Sequence, residues 1–343
     1  MQDDDFTVIP ILDLSLGQSP ETKPQFLSEL QDALIRAFFQ LPIDKKLDVE
    51  ITHSKHFFGY CRIGTETTGN EVNYSEFFGT GPNLPAPTPD QPVYFNLQGP
   101  SQWPDETTAP GFRRAVERYR SAVQKLSTEF TVLIAEALDI VPSSVTKLFG
   151  GSSSRLELRN YPAPSKQMSE AVCYGIGAHK DSTLMTYLLQ QGSVNCLEVQ
   201  NKSGQWIPVP PIPGTLVVNI GLILEALTHG VCTATLHRVV LNPESFIGQN
   251  GLPLGPRLSI PFFQNLDLHL KQEDFSLDIP PHIEKFIKGE KAVENVDHFF
   301  SGVVDNTYGD AVFVQNITAN LELGRRWYPD FQSLALEKQT MTK

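Results

Sequence analysis

The chain has 343 residues, 40% hydrophobic and 19% charged, with a formal net charge of −12. That length buries a full core without staples, and the acidic balance argues against nucleic acid or an anionic membrane as a partner. Four scattered cysteines without a C-x-x-C spacing point to neither a zinc knuckle nor a disulfide framework, and reduced thiols in a cytosolic, cytoplasmic protein are the plain reading. The N-terminus "MQDDDFTVIP" is acidic where a signal peptide is basic and then apolar, and no run reaches membrane-spanning length.

The first third reads as helical with loops. In "SPETKPQFLSELQDALIRAFFQLP", Phe26, Leu27, Leu30, Ala33 and Leu34 share one helical face behind a Ser/Thr/Pro start. Residues 80 to 110 are rich in Pro, Gly and Thr and are expected to be irregular. A helix follows over roughly 111 to 138, where Val116, Tyr119, Val123, Leu126, Phe130 and Leu133 form an apolar stripe suited to packing on a sheet. "VPSSVTKLF" then reads as a short capped helix behind Pro142.

From about residue 155 the period changes, and seven β-like runs follow: "LELRNY", "STLMTYLLQ", "VNCLEVQ", "QWIPVP", "GTLVVNI", "LHRVVL" and "RLSIPFF". Short strands at this spacing predict a mainly β fold with flanking helices and a jelly-roll core. Its lining residues should recur at i and i+2. One domain is expected, with a helical N-terminal region (1–150) packed on the core (155–265) and a helical or loop region (281–343) at the end.

Among the eight histidines, His179 stands two positions before Asp181 in "AHKDSTLMTY", and His237 lies inside the β-run "TLHRVVL". Two imidazoles and one carboxylate on a β-scaffold is a ligand set that holds ferrous iron on one face and leaves positions open for substrate and dioxygen. Zinc accepts the same set, and the H-x-D pair alone also fits a solvated aspartate beside a packed histidine. Arg257 and Ser259 share one face of "RLSIPFF", and an arginine facing a barrel interior needs an anion. Its planar fork suits a carboxylate, to which Ser259 and Tyr161 of "RNYP" add hydroxyls. Together these groups describe a site for a small 2-oxo acid chelated to a metal at one end and steadied by Arg257 at the other. The chain has no G-x-S-x-G elbow and no Walker loop, and "GIGAHK" lacks the third glycine of a dinucleotide fingerprint.

In order, "RNYP", "HKD", "NCLEV", "VVNIG", "HRVV" and "RLS" resemble the core pattern of the non-haem Fe(II)- and 2-oxoglutarate-dependent dioxygenases of the isopenicillin N synthase-like group. Fungal biosynthetic members come closest in flavour. "TVIPILDLS" is similar to the family's opening strand. "FFQLPIDKKLDVE", "FFGYCRIGTE" and "NYSEFF" resemble its N-terminal helical region, and "RRWYP" its end, so the likeness covers most of the chain. The resemblance implies Fe(II), 2-oxoglutarate and O2 as cofactor and co-substrates. It implies His179, Asp181 and His237 as catalytic metal ligands, and Arg257, Ser259 and Tyr161 as the 2-oxoglutarate anchor. Phe263 matches a substrate-lining aromatic position, and as a residue type it fits ordinary core equally well. The implied activity is oxidation of a small-molecule intermediate of specialised metabolism by hydroxylation, desaturation or cyclisation. Two alternatives are an isopenicillin N synthase-like oxidase that needs no 2-oxoglutarate, and an inactive shortened relative acting as a binding protein.

The chain departs from the family pattern in three places. Leu222 stands where the family has the aspartate of V-N-i-G-D. The sixteen-residue stretch "LNPESFIGQNGLPLGP" before Arg257 is long and is expected to cover the site's mouth. A strand–helix segment is missing near Leu34 to Ala37, which predicts an open sheet edge.

Overall fold

The computed structural model describes residues 36–68, 71–149, 153–165, 173–287 and 307–341. The opening run "TVIPILDLS", nearly all of the first expected helix and residues 288–306 lie outside the described residues.

The region expected to be helical up to residue 150 contains four strands: β1 (Gly59–Cys61), β2 (Thr67–Thr68), β3 (Glu71–Val72) and β4 (Glu76–Thr80). "FFGYCRIGTE" and "NYSEFF" are thus strand-forming, because their aromatic residues fill the sheet rather than a helical stripe. Phe77 and Phe78 lie on opposite faces of β4 and both are fully buried. The long helix is present as α1 (Phe112–Ala137), followed by α2 (Pro142–Thr146) with proline in its first turn.

All seven expected runs are strands: β5 (Arg155–Tyr161), β7 (Met185–Gln191), β8 (Leu197–Gln200), β9 (Trp206–Pro208), β10 (Val217–Ile220), β11 (His237–Val240) and β12 (Arg257–Gln264). Two further elements carry no clear period, namely β6 (Tyr174–His179) and the six-residue helix α3 (Leu222–Leu227). In β6, "YGIGAH", the glycines mimic a turn. A Cβ on Gly175 would stand 2.7 Å from the Tyr161 ring, so close packing is what asks for glycine there. After β12 come α4 (Tyr308–Ala319) and α5 (Leu321–Trp327).

The strands form a six-stranded antiparallel sheet, β1-β4-β5-β12-β7-β10, and a four-stranded one, β6-β11-β8-β9. This is the jelly-roll core that the strand spacing predicts. Along β12 the side chains alternate. Leu258, Ile260 and Phe262 join the large core that also contains α1, while Arg257, Ser259 and Phe263 face the other way. Burying each such apolar side chain contributes roughly 1.5–3 kcal/mol. A second cluster between the sheets holds Tyr161, Leu188, Val199, Val239 and Phe246.

The α1 stripe runs slightly differently from its apolar reading. Ser127 and Thr131 are buried while Leu133 is exposed. The buried polar positions are satisfied, because the Gln264 amide donates to Thr131 Oγ1 at 2.9 Å and the Thr131 hydroxyl to the Ser127 carbonyl at 2.8 Å.

The edge strand β1 is buried. The Tyr60 amide donates to the Val49 carbonyl at 2.8 Å, and Gln102 bonds the carbonyls of Glu50 and Phe58, which fastens residues 49–51 along the strand. The stretch 241–256 leaves the end of β11 opposite His237. Its Phe246 is buried in the cluster that also holds Tyr161 and Val239.

Candidate active site

His179 is the last residue of β6 and His237 the first of β11, and the two are Cα partners across the antiparallel pair. Asp181 lies beyond the strand, in a turn fastened from outside by the Leu222 amide, which donates to the Asp181 carbonyl at 2.8 Å. The pair therefore converges through a turn rather than through strand alternation. Asp181 Oδ1 is 3.4 Å from His179 Nε2 and 3.5 Å from His237 Nε2, and one potential ligand atom from each residue lies within 4.8 Å of the others.

Each imidazole is oriented from behind. His179 Nδ1 donates to the Gly177 carbonyl at 2.8 Å and His237 Nδ1 to the Thr235 carbonyl at 3.0 Å. A carbonyl only accepts, so Nδ1 donates there and Nε2 is the atom that faces Asp181, donating to the carboxylate while it carries a proton and offering a lone pair to a metal once that proton is lost. Burial pushes the Asp181 carboxyl up, but the neighbouring His237 charge and both imidazole hydrogen bonds hold it well below the usual carboxylate range. Burial likewise pulls His237 down, and the Asp181 carboxylate more than offsets it. Asp181 Oδ2 is buried without a hydrogen-bond partner among the described residues. Two inward Nε2 atoms, ligands once deprotonated, and a carboxylate oxygen fit a divalent cation with mixed N/O preference, a donor set that suits Fe(II).

Arg257 is 1% exposed. Its Nη2 donates to Gln190 Oε1 at 2.9 Å, its Nη1 lies 3.4 Å from Ser259 Oγ, and its guanidinium stands 4.6 Å over the Tyr161 ring. Its Nε is buried without a partner, and among the described residues no carboxylate reaches it. Tyr161 and Arg257 are Cα partners between β5 and β12. The structure brings Arg257, Ser259 and Tyr161 together, and the tyrosine meets the guanidinium with its ring face rather than with the hydroxyl expected of it. Phe263 shares their face of β12 and is only half-buried, in contrast to its core neighbour Phe262. Gln190 was not signalled by the sequence. A glutamine at the end of the mostly apolar run "LMTYLLQ" is the one cue, and it aligns Arg257 while its own amide bonds the Val209 carbonyl at 3.0 Å.

A jelly roll with an inward His/Asp/His triad, and a buried arginine that no carboxylate among the described residues reaches, is a scaffold suited to a metal-dependent oxygenase. The profile described as "2OG-Fe(II) oxygenase superfamily" matches residues 154–266, and that of the "non-haem dioxygenase in morphine synthesis N-terminal" region matches residues 33–106. A 2-oxoglutarate-dependent dioxygenase of Gibberella zeae is 48% identical over 364 residues, covering 98% of this chain and 96% of that protein. The dioxygenase frbJ of Dothideomycetidae sp. is 36% identical, covering 95% of this chain and 94% of its own. Among solved structures, Neurospora crassa T7H in complex with alpha-KG superposes with a TM-score of 0.61 at 24% identity, covering 80% of this chain and 82% of that one, a likeness of fold. The chain belongs to the 2OG-Fe(II) oxygenase superfamily. It is a 2-oxoglutarate-dependent dioxygenase that uses Fe(II), 2-oxoglutarate and O2.

Proposed function

We propose that His179, Asp181 and His237 hold the Fe(II), that Arg257 with Ser259 and Tyr161 anchors the far carboxylate of 2-oxoglutarate, and that Phe263 lines the substrate pocket. The substrate is a small-molecule intermediate of specialised metabolism, which undergoes hydroxylation, desaturation or cyclisation. The observation that carries this reading is Arg257, a cation buried on the interior face of β12 with no acidic partner in reach among the described residues. A buried guanidinium without an anion is costly, and a dicarboxylate reaching from the triad offsets that cost.

Bound Fe(II) supplies the oxidation itself, in which O2 is consumed, 2-oxoglutarate becomes succinate and CO2, and the organic substrate takes up oxygen or loses hydrogen. The protein's residues orient and shield. The carbonyls of Gly177 and Thr235 fix both imidazoles, and the burial of Asp181 keeps its carboxylate from competing water. Gln190 and Ser259 hold the guanidinium plane so that its remaining N–H groups face the interior.

The test is anaerobic reconstitution with Fe(II) and 2-oxoglutarate, followed by air. A weak visible absorption band and then succinate are expected, and His237→Ala should abolish both. Absence of the band and of succinate with the parent chain would overturn the assignment.

A further inference from the structure

Leu222 leaves the start of α3 without the acidic group that the family pattern places there. One turn later Glu225 is buried, at 2% exposure. Its Oε2 accepts the Ala234 amide at 2.6 Å and stands 3.6 Å from Lys180 Nζ. These two partners have a specific place in the chain. Lys180 is the residue between His179 and Asp181. Ala234 immediately precedes Thr235, whose carbonyl orients His237 through Nδ1.

The same helix is sewn to the ligand turn through its backbone. The amides of Gly221, Leu222 and Ile223 donate to the carbonyls of Leu184, Asp181 and Thr183 at 2.9, 2.8 and 3.2 Å. The Gly230 amide returns to the Glu225 carbonyl at 2.8 Å, so the loop that leads to His237 starts from the same residue. Glu225 is therefore the side chain at which the segment 179–184 and the segment 230–237 meet.

We propose that Glu225 is a positioning residue for the metal centre. Its carboxylate clamps the two chain segments that deliver the three ligands, gripping the ammonium of Lys180 on one and the amide of Ala234 on the other. It takes over, from one turn along the helix, the place left by Leu222. A buried carboxylate with one charged and one amide donor holds a fixed geometry in a way that an exposed pair does not. Outer partners of metal ligands set affinity because they fix ligand orientation before the metal arrives. The inference rests on the assignment of the triad as the iron site and adds to it the group that holds the triad in register.

Co(II) serves as a redox-stable probe, titrated into the metal-free full-length chain and followed by its visible d–d absorption, with no substrate or turnover involved. Glu225→Gln keeps an acceptor for the Ala234 amide and removes the charge facing Lys180, and it is expected to weaken Co(II) binding at least fivefold. Glu225→Ala should lose about 10- to 100-fold, the range for removal of an outer partner. Lys180→Met should weaken binding about threefold, and Lys180→Met combined with Glu225→Gln should cost little more than Glu225→Gln alone. The 2-oxoglutarate dependence at saturating metal should stay unchanged in all of them, which separates positioning of the ligands from general loosening of the core. If Glu225→Ala does not fold, Glu225→Gln decides. Co(II) affinity of Glu225→Gln within twofold of the parent overturns the proposal. A parent chain that takes up no Co(II) overturns the metal assignment and this inference together.

Discussion

At the residue scale the assignment turns on how a side chain behaves when its usual partner is missing. Arg257 has Gln190, Ser259 and the Tyr161 ring around it, all of them neutral. Neutral groups orient a guanidinium without cancelling its charge, so its attraction for a carboxylate is preserved. Lysine at this position keeps the charge but not the planar fork. For Arg257→Lys we expect the 2-oxoglutarate concentration needed for half-maximal succinate release to rise about 10- to 100-fold, the equivalent of losing one or two charge-assisted hydrogen bonds. Co(II) affinity should remain that of the parent. An unchanged 2-oxoglutarate dependence would mean that the carboxylate lies elsewhere. The proposed pairs His179/Asp181 and Arg257/Ser259 could be picked out in the sequence because the members of each stand two positions apart, and His237 because it falls inside a β-run. Gln190 and Glu225 could not, since their contacts join segments whose meeting no sequence spacing encodes.

At the element scale, the strand that ends in His179 is shaped by a neighbour the sequence reading placed in a helical region. The strands β2 and β3 lie against β6, and a Cβ on Gly177 would stand 2.6 Å from the Thr68 carbonyl and 3.1 Å from Glu71 Cβ. The Tyr74 amide donates to the Tyr174 carbonyl at 2.9 Å, which ties the chain after β3 to the start of the same strand. Gly177 also supplies the carbonyl that orients His179. Alanine there must push the Thr68 backbone away or shift β6 and its ligand. Gly177→Ala is expected to increase hydrogen exchange at Asn73 and Tyr74 and to weaken Co(II) binding several-fold. Parent-like values for both would show that β6 accommodates a methyl group without moving. The β6 strand was not among the expected runs because its glycines interrupt the β-like pattern, and those same glycines allow close approach of Tyr161 and of Thr68. The seven other core strands were legible because β-branched and aromatic residues recur in them between turn residues, and α3 was not, because six residues are too few to display a helical period.

At the scale of the whole molecule, an ion network joins the N-terminal strands to the barrel. Arg159 of β5 holds Glu66 with Nη1 and Nη2 at 2.8 and 3.0 Å, and Glu157 with Nε at 2.6 Å, while Arg155 pairs with Glu157 at 2.7 Å. Two arginines and two glutamates balance, all of them largely buried, and the contact between Glu66 and Arg159 spans 93 positions of chain. Burial pushes the Glu66 carboxyl up, but Arg159 and the Asn73 amide outweigh it and leave the group below its ordinary value of 4.5. The unfolded chain takes up this proton near that ordinary value, whereas the folded chain resists until the pH is lower. The stabilisation is therefore present in full above about pH 4.5 and is lost as the pH falls through the depressed folded value. Glu66→Gln removes the titrating group and leaves Arg159 with one carboxylate fewer. The variant should be clearly less stable than the parent in urea at pH 7, because it leaves a buried guanidinium under-compensated. The difference should narrow steadily in the same measurement as the pH is lowered below about 4.5. A gap that stays constant across that range would show that Glu66 contributes to the fold by packing and hydrogen bonding rather than through its charge.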